Sequence, residues 1–577
     1  MKQQSIRVSL QTNAPLGAKA AAILGQRLGD RGLAVIESEG SPELVLTVDP
    51  AVGADSFRIS GPPAGPVVVS GGDGRGLIYG VGKLLRTSSF QDGRCALSPW
   101  RGSEAPRCPV RGMYFATHFG NYYESAPLSE IERYLEDLAL WGCNALMVWF
   151  DMHHYSGLAD PRAGAMIARL HAILHAAQRV GIDPGLLMLA NEAYADSPRE
   201  LRASFDPATA KASGYTKATW SHYDIEICPS RPGGLEFLRK DRREMLQAFA
   251  DLDIRYACLW PYDTGGCVCA DCFPWGGNGF LRASAEMERE VHAVFPQARM
   301  VLSTWLFDEF IDLEWPAFAA RIERDRPAWL DYIMVDTLRE QFPRYPLEHG
   351  SPGGYPMINF PEISMTNLTP WGGYGGMFIT RVQEGLWKAA GERLSGGFPY
   401  SEGIFEDVNK VVSLQQYWSG RSADETVTEY LAYEFGPQWA TPLLDVIKGM
   451  EREHGVGVIL GYAQPDLREV LWGSKVPVFN VAPLQEAPQR LSTLEEISRQ
   501  LPPNIRGGFR WQLIYRRGLI DAALQRSGGR LTDELEGLFV QLAEMYHMDT
   551  AKAAFYVSPP SREVLLRAHQ SPTGPVI

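Results

Sequence analysis

Acidic residues recur through the middle of this sequence at the ends of short apolar runs. Asp151 follows ALMVWF, Asn191 and Glu192 follow GLLMLA, Asp263 follows YACLWPY, and Asp308 with Glu309 follows MVLSTWLF. Asp336 closes YIMVD, Glu362 follows PMINFP, and SEGIFED supplies Glu402, Glu406 and Asp407. Aromatic residues are interleaved with them. Breaking the acetal bond between two sugars needs one carboxylic acid to protonate the leaving oxygen and a second carboxylate as nucleophile or as base toward water. Flat rings pack on the apolar faces of sugars. Asp263 and Glu362 stand out, because each is followed by loop sequence rich in glycine, proline and aromatic residues. Asp263 is read as the acid, Glu362 as the base or nucleophile, and Glu402 as an alternative carboxylate or a ligand for hydroxyls. His118, Asp151, His153, Asn191, Glu192, Trp260, Tyr262, Trp275, Trp305, Asp308, Trp371 and Tyr400 are read as substrate contacts. A plainer role is open for Asp308/Glu309 and Glu406/Asp407, since an acid just after a strand equally well caps the next helix.

The stretch GGCVCADCFPWGG brings Cys267, Cys269 and Cys272 close together, with Cys228 upstream as a candidate fourth thiolate. Two readings stand: a structural zinc site, or thiols packed beneath the loop. Catalysis by paired carboxylates requires no cofactor. A catalytic metal is not expected from the histidines, because His118 stands alone after its run and the adjacent His153 and His154 do not easily turn toward one ion.

Such residues need a scaffold that aims them at one place. Eight β-type runs, at 112–117, 145–150, 185–190, 256–262, 300–307, 332–336, 356–360 and 396–400, alternate with helical patterns. Among the helices, Ser129 with Glu132 reads as a capping box ahead of Ile131, Leu135 and Leu138. Alternation of this kind predicts an α/β chain with a (β/α)8 TIM barrel, in which functional groups sit at the C-terminal ends of the strands. Pro343, Pro346 and Pro352 argue against an ordinary crossover helix between the sixth and seventh runs, so the count is open by one strand. The predicted organisation is an N-terminal α+β accessory domain at 1–105, the barrel at 106–420 and a helical C-terminal domain at 421–577. The closing residues SPTGPVI read as a loose tail.

Composition narrows the partners. A net charge of −13 over 577 residues repels nucleic acid and anionic membranes, so neither is expected as a partner. The N-terminal MKQQSIRVSLQTNAPLG lacks the apolar core of a secretory leader, no run is long enough to span a membrane, and the eight cysteines read as mostly reduced thiols. Together these imply a cytoplasmic location. An oligosaccharide is the expected substrate, and the C-terminal helices leave room for a homodimer.

The N-terminal segment SFRISGPPAGPVVVSGGDGRGLIYGVGKLLR resembles the accessory domain that precedes the barrel in α-glucuronidases and β-N-acetylhexosaminidases, with GRGLIYGVGKLLR carrying most of the likeness. The order of accessory domain, barrel and helical domain resembles α-glucuronidases best. That resemblance implies an exo-acting glycoside hydrolase releasing a terminal sugar such as a uronic acid. It implies a general acid at the end of the fourth strand, here Asp263 where α-glucuronidases have glutamate, and carboxylates on late strands, here Glu362 and Glu402. The hexosaminidase alternative, in which the substrate's own acetamido group attacks, implies an acidic pair after the fourth strand. Asp263 is followed by Thr264, and the Asp308–Glu309 pair comes one run later. A third reading is a carbohydrate-binding barrel without activity.

Overall fold

In the N-terminal region, Ile6 and Val8 of strand Ser5–Gln11 turn inward, and helix Gly17–Gly29 buries Ala20, Ile23, Leu24 and Leu28 at helical spacing. The computed structural model describes residues 4–38, 40–62, 65–91, 93–118, 120–205, 207–213, 224–262, 266–309, 311–337, 341–364, 370–371, 374–453 and 479–548. Asp263 and the SPTGPVI tail lie outside them. A six-stranded sheet runs through Ala34–Glu37, Ser5–Gln11, Leu44–Val48, Val67–Gly71, Phe57–Ser60 and Gly102–Glu104, parallel up to Val67–Gly71 and antiparallel beyond it.

Helix Gly74–Thr87 is the GRGLIYGVGKLLR motif, started by Asp73, whose carboxylate accepts the Gly76 N–H at 2.7 Å. Its glycines let backbones meet. A Cβ on Gly76 would lie 2.1 Å from the Ser56 carbonyl oxygen, and one on Gly82 would lie 2.0 Å from that of Leu140, on barrel helix Leu128–Leu140. The motif is thus the joint between sheet and barrel. Arg111, fully buried on the first barrel strand, reinforces it by donating to Asp55 at 2.9 Å and to the Gly142 and Cys108 carbonyls.

The barrel is closed. Its strands are Val110–Phe115, Ala145–Trp149, Asp183–Leu189, Tyr256–Trp260, Arg299–Ser303, Leu330–Thr337, Met357–Pro361 and Leu394–Gly397, each parallel to the next, with the eighth returning to the first through Gly396 and Val110. Parallel strands covered on both faces are apolar throughout, as in Ala145–Trp149, where all five residues are buried. One set of side chains fills the inside, among them Tyr114, Met147, Tyr256, Val301, Met334 and Phe398, topped by Trp149, Trp260 and Phe360. The other set faces the outer helices.

Three local expectations change. The fifth strand stops at Ser303, not 307, because side chains take over its donors: Ser303 Oγ accepts the Trp305 N–H and Asp336 accepts the N–H of Leu306, which sits at φ +65°. The helix after the first strand begins at Leu128 without a side-chain cap, so Ser129 lies in its first turn and the capping box does not form. Between the sixth and seventh strands a six-residue helix, Arg344–His349, and a turn at Pro352–Gly354 replace a full crossover helix. The two strands still pair in parallel, Ile333 opposite Met357, which makes the count eight.

After the barrel, helices run from Asp407–Ser419 through Ala423–Phe435, Ala440–Arg452, Ala487–Gln500 and Phe509–Ser527 to Asp533–Met545. They reach the barrel mouth, where Tyr546 donates its hydroxyl to the Glu402 carbonyl at 2.7 Å and stacks on Phe405. Among the described residues no helix is long and apolar enough to cross a membrane.

Candidate active site

Late strands bring three carboxyl groups together. Asp336 lies within the sixth strand, Glu362 follows the seventh, and Glu402 follows Tyr400–Ser401, a short strand added beside the first. Glu362 bridges to Tyr400 through the backbone, which fixes the two loops side by side. Glu402 and Asp336 are buried, whereas Glu362 is half-buried. Burial, with repulsion from Glu406 and Glu362, pushes the Glu402 carboxyl well above the usual range, against the opposing Tyr400 hydrogen bond. Asp336 is pushed up to about 8 by burial and by the charges of Asp308, Glu309 and Glu362, against the Leu306 N–H. Both shifts favour the protonated form of the two buried groups.

A hydrogen-bonded chain links this group to the first strand. His118 Nε2 lies 3.2 Å from the Tyr400 hydroxyl, which donates to Glu402 Oε1 at 2.8 Å. Burial, with the charges of His154 and His153, lowers His118 to about 3, so the imidazole is neutral. Around this chain lies an aromatic floor. Trp260 and Trp305 have ring centroids 5.1 Å apart, both edge-on to Phe360, and Tyr400 stacks on Tyr114 at 5.6 Å. Trp305 and Tyr400 are the partly exposed members.

On the opposite side, Glu192 accepts Trp149 Nε1–H at 3.1 Å and the His153 backbone N–H at 3.2 Å, and shares a 2.7 Å hydrogen bond with His153 Nδ1. Burial raises Glu192 to about 8 and lowers His153 to about 3, so both are held neutral at neutral pH. Ligand atoms of Asp151, His153 and His154 come within 4.8 Å of one another, closer than expected for adjacent histidines. Their Nδ1 atoms nevertheless serve different carboxylates, Glu192 for His153 and Asp151 for His154.

Other sequence-predicted contacts have structural duties. Asn191 is fully buried and clamps the loop after the fourth strand, accepting the Gly266 N–H at 2.9 Å and donating to its carbonyl at 2.8 Å. Tyr262 donates to buried Glu314 at 2.8 Å. Trp275 is 0% exposed with its Nε1–H on the Pro261 carbonyl, so it supports the loop from beneath and offers no ring face to a sugar. Trp371, also 0% exposed, packs against Phe539 and Arg517 of the C-terminal helices. Tryptophans in glycine-rich loops read alike in sequence whether they face inward or outward. Asp308 is exposed and accepts from Trp315 Nε1. Glu406 and Asp407 turn inward: Glu406 takes the Ser401 hydroxyl and the Glu402 and Gly403 N–H groups, and Asp407 takes Tyr134, Tyr430 and Arg510. Asp336 was legible only as one more acid after an apolar run; its burial beside Glu362 is what distinguishes it. A cleft of about 430 Å³ lies elsewhere, and its charged lining is paired, Arg27 with Asp137 and Arg510 with both Asp137 and Glu434.

The Asp336 proton has a measurable consequence. An unfolded aspartate ionises near pH 4, whereas the folded one holds its proton up to about 8, so within that window the unfolded chain binds fewer protons and stability falls as pH rises. Asp336→Asn removes this term. Its melting temperature is expected to decline less than that of the wild type between about pH 5 and about pH 8. Parallel declines would show that Asp336 is ionised in the folded protein.

No family model and no curated relative matches the sequence. Solved structures do match. A family GH115 4-O-methyl-α-glucuronidase with specificity for decorated arabinogalactans aligns over 98% of this chain and 79% of its own, with a TM-score of 0.61 at 11% identity. A GH138 enzyme targeting pectin rhamnogalacturonan II covers 95% of this chain and 89% of its own, at TM-score 0.57 and 12% identity. A β-N-acetylhexosaminidase from Bacteroides fragilis covers 76% and 92%, at 0.51 and 15%. At such identities the likeness is one of fold, and the chain has the eight-stranded parallel barrel architecture shared by these glycoside hydrolases.

Proposed function

We propose that the chain is an exo-acting glycoside hydrolase that releases a terminal sugar from an oligosaccharide by a two-carboxylate mechanism. The observation that carries this reading is that Glu362 lies near enough to two buried, proton-holding carboxyls, Asp336 and Glu402, to raise both, at the barrel end where Trp260 and Trp305 pack together. A half-exposed carboxylate beside aromatic rings suits a nucleophile or base acting on a sugar. Asp263, three residues past the fourth strand, is the proposed acid. His118, Tyr400, Trp305 and the His153–Glu192 pair are the proposed contacts to hydroxyls and ring faces. The exo mode, and a uronic acid as the released sugar, follow the α-glucuronidase likeness. No step requires a cofactor.

The substrate-assisted reading loses its main support, because strand pairing puts Asp308–Glu309 after the fifth strand, beside Trp315, and not after the fourth. The test is turnover on a panel of 4-nitrophenyl glycosides, glucuronides included, and of uronic-acid-capped oligosaccharides. Release of the terminal sugar is the expected result. Sugar binding without cleavage of any member would instead make this a binding barrel, and inhibition by a thiazoline analogue would restore the acetamido mechanism.

A further inference from the structure

Four cysteines from two successive strand-end loops meet at one point. Cys228 belongs to the segment after the third strand, held there by its N–H on the Leu201 carbonyl at 2.9 Å, and Cys267, Cys269 and Cys272 belong to the loop after the fourth. All four sulfurs lie within 4.8 Å of one another, with Cys228 Sγ 3.7 Å from Cys269 Sγ and 3.8 Å from Cys272 Sγ. We propose that these four thiolates hold one zinc ion, which staples the third-strand loop to the fourth-strand loop.

Geometry favours a metal over the alternatives. A tetrahedral centre with Zn–S bonds of about 2.3 Å places its sulfurs about 3.8 Å apart. A disulfide needs about 2.05 Å, and all four cysteines are free. The hydrogen bonding separates this group from the chain's other thiols. Cys108 and Cys143 each direct their S–H at a backbone carbonyl, of Leu394 and Ala145, as neutral thiols do. Within the cluster, Cys267 Sγ accepts the Ser204 N–H at 3.5 Å, and Cys272 Sγ lies 3.1 Å from a Ser230 hydroxyl that itself accepts from the Arg282 guanidinium. Donors aimed at sulfur, backed by a cation, suit the net negative charge of a four-thiolate zinc centre. Cys228, Cys267 and Cys272 are buried and Cys269 is partly exposed, which leaves the ion a route in. Four-thiolate sets of this geometry select zinc or iron, and zinc is the occupant proposed.

Metal analysis of the full-length protein, purified with reductant and without chelator, tests this whether or not any sugar is cleaved. About one zinc per chain is expected. Cys269→Ser and Cys272→Ser should each lose most of it, with a fall on the order of 5 °C in melting temperature, while Cys95→Ser, in the N-terminal unit, keeps it. Replacement of zinc by cobalt should give the strong visible absorption of tetrahedral thiolate coordination. Should the cysteine variants fail to fold, the zinc content and cobalt spectrum of the wild type decide. Less than ~0.1 metal per chain would overturn the proposal, and stoichiometric iron would overturn zinc as its occupant.

Discussion

Replacing Glu362 with glutamine is expected to lower kcat on any cleaved glycoside by about 1000-fold or more, close to 4 kcal/mol of transition-state stabilisation, with the melting temperature little changed. Glutamine keeps the shape and discards the charge. Glu362 is half-buried at the end of a strand whose pairing does not depend on its side chain, so the fold should tolerate the change. The comparison with Glu402→Gln makes the result diagnostic. Glu402 already holds its proton, through burial and the charges of Glu406 and Glu362, and glutamine imitates that neutral form. A far smaller loss is therefore expected at 402 than at 362. Equal losses in two folded variants would transfer the reacting role to Glu402, and near-normal turnover in Glu362→Gln would remove the two-carboxylate mechanism as drawn.

The fold was legible because apolar periodicity reports burial directly. Each of the eight barrel strands overlaps a run visible in the sequence, though the first begins two residues earlier and the eighth, Leu394–Gly397, shares only Gly396 and Gly397 with its run; the strands Ser5–Gln11 to Val67–Gly71 of the N-terminal sheet and the long C-terminal helices were visible as well. What escaped reading depends on partners far away in the chain. The fifth strand looks three or four residues longer than it is, since nothing local announces that Asp336 will claim the Leu306 N–H. The hairpin Ser89–Gln91 with Arg94–Ala96 is too short and too polar to show a period. Carboxylates were readable as a set, because the barrel rule assigns every strand end to one face. Their ranking was not, because proton affinity depends on burial and on neighbours from other strands, as Asp336 and Glu192 show. Asn191 illustrates the same limit: in sequence it is a polar group beside a candidate site, and in space its amide is spent on the backbone of Gly266.

Asp263→Asn should produce a loss that depends on the leaving group. A general acid matters in proportion to how poorly the leaving oxygen departs unprotonated, so cleavage of a sugar–sugar bond is expected to fall by about 100- to 10,000-fold. A dinitrophenyl glycoside, whose leaving group needs no proton, should lose less than about tenfold in the step that breaks the glycosidic bond. The alkaline limb of the pH–rate profile should flatten with it, because the ionisation that shuts down the acid has been removed. Asp263 itself lies outside the described residues, and the case for it rests on sequence position and on its flanks. Before it, Tyr262 is tied to Glu314, which also accepts the Gly276 N–H at 2.6 Å, and after it Gly266 is bound on both sides by Asn191. Proton transfer at a fixed atom requires such anchoring of the flanking backbone. A loss of the same size on both kinds of substrate would argue that Asp263 positions the sugar and does not protonate it. The acid would then be sought among Asp308 and Glu309, the carboxylates that follow the adjoining fifth strand.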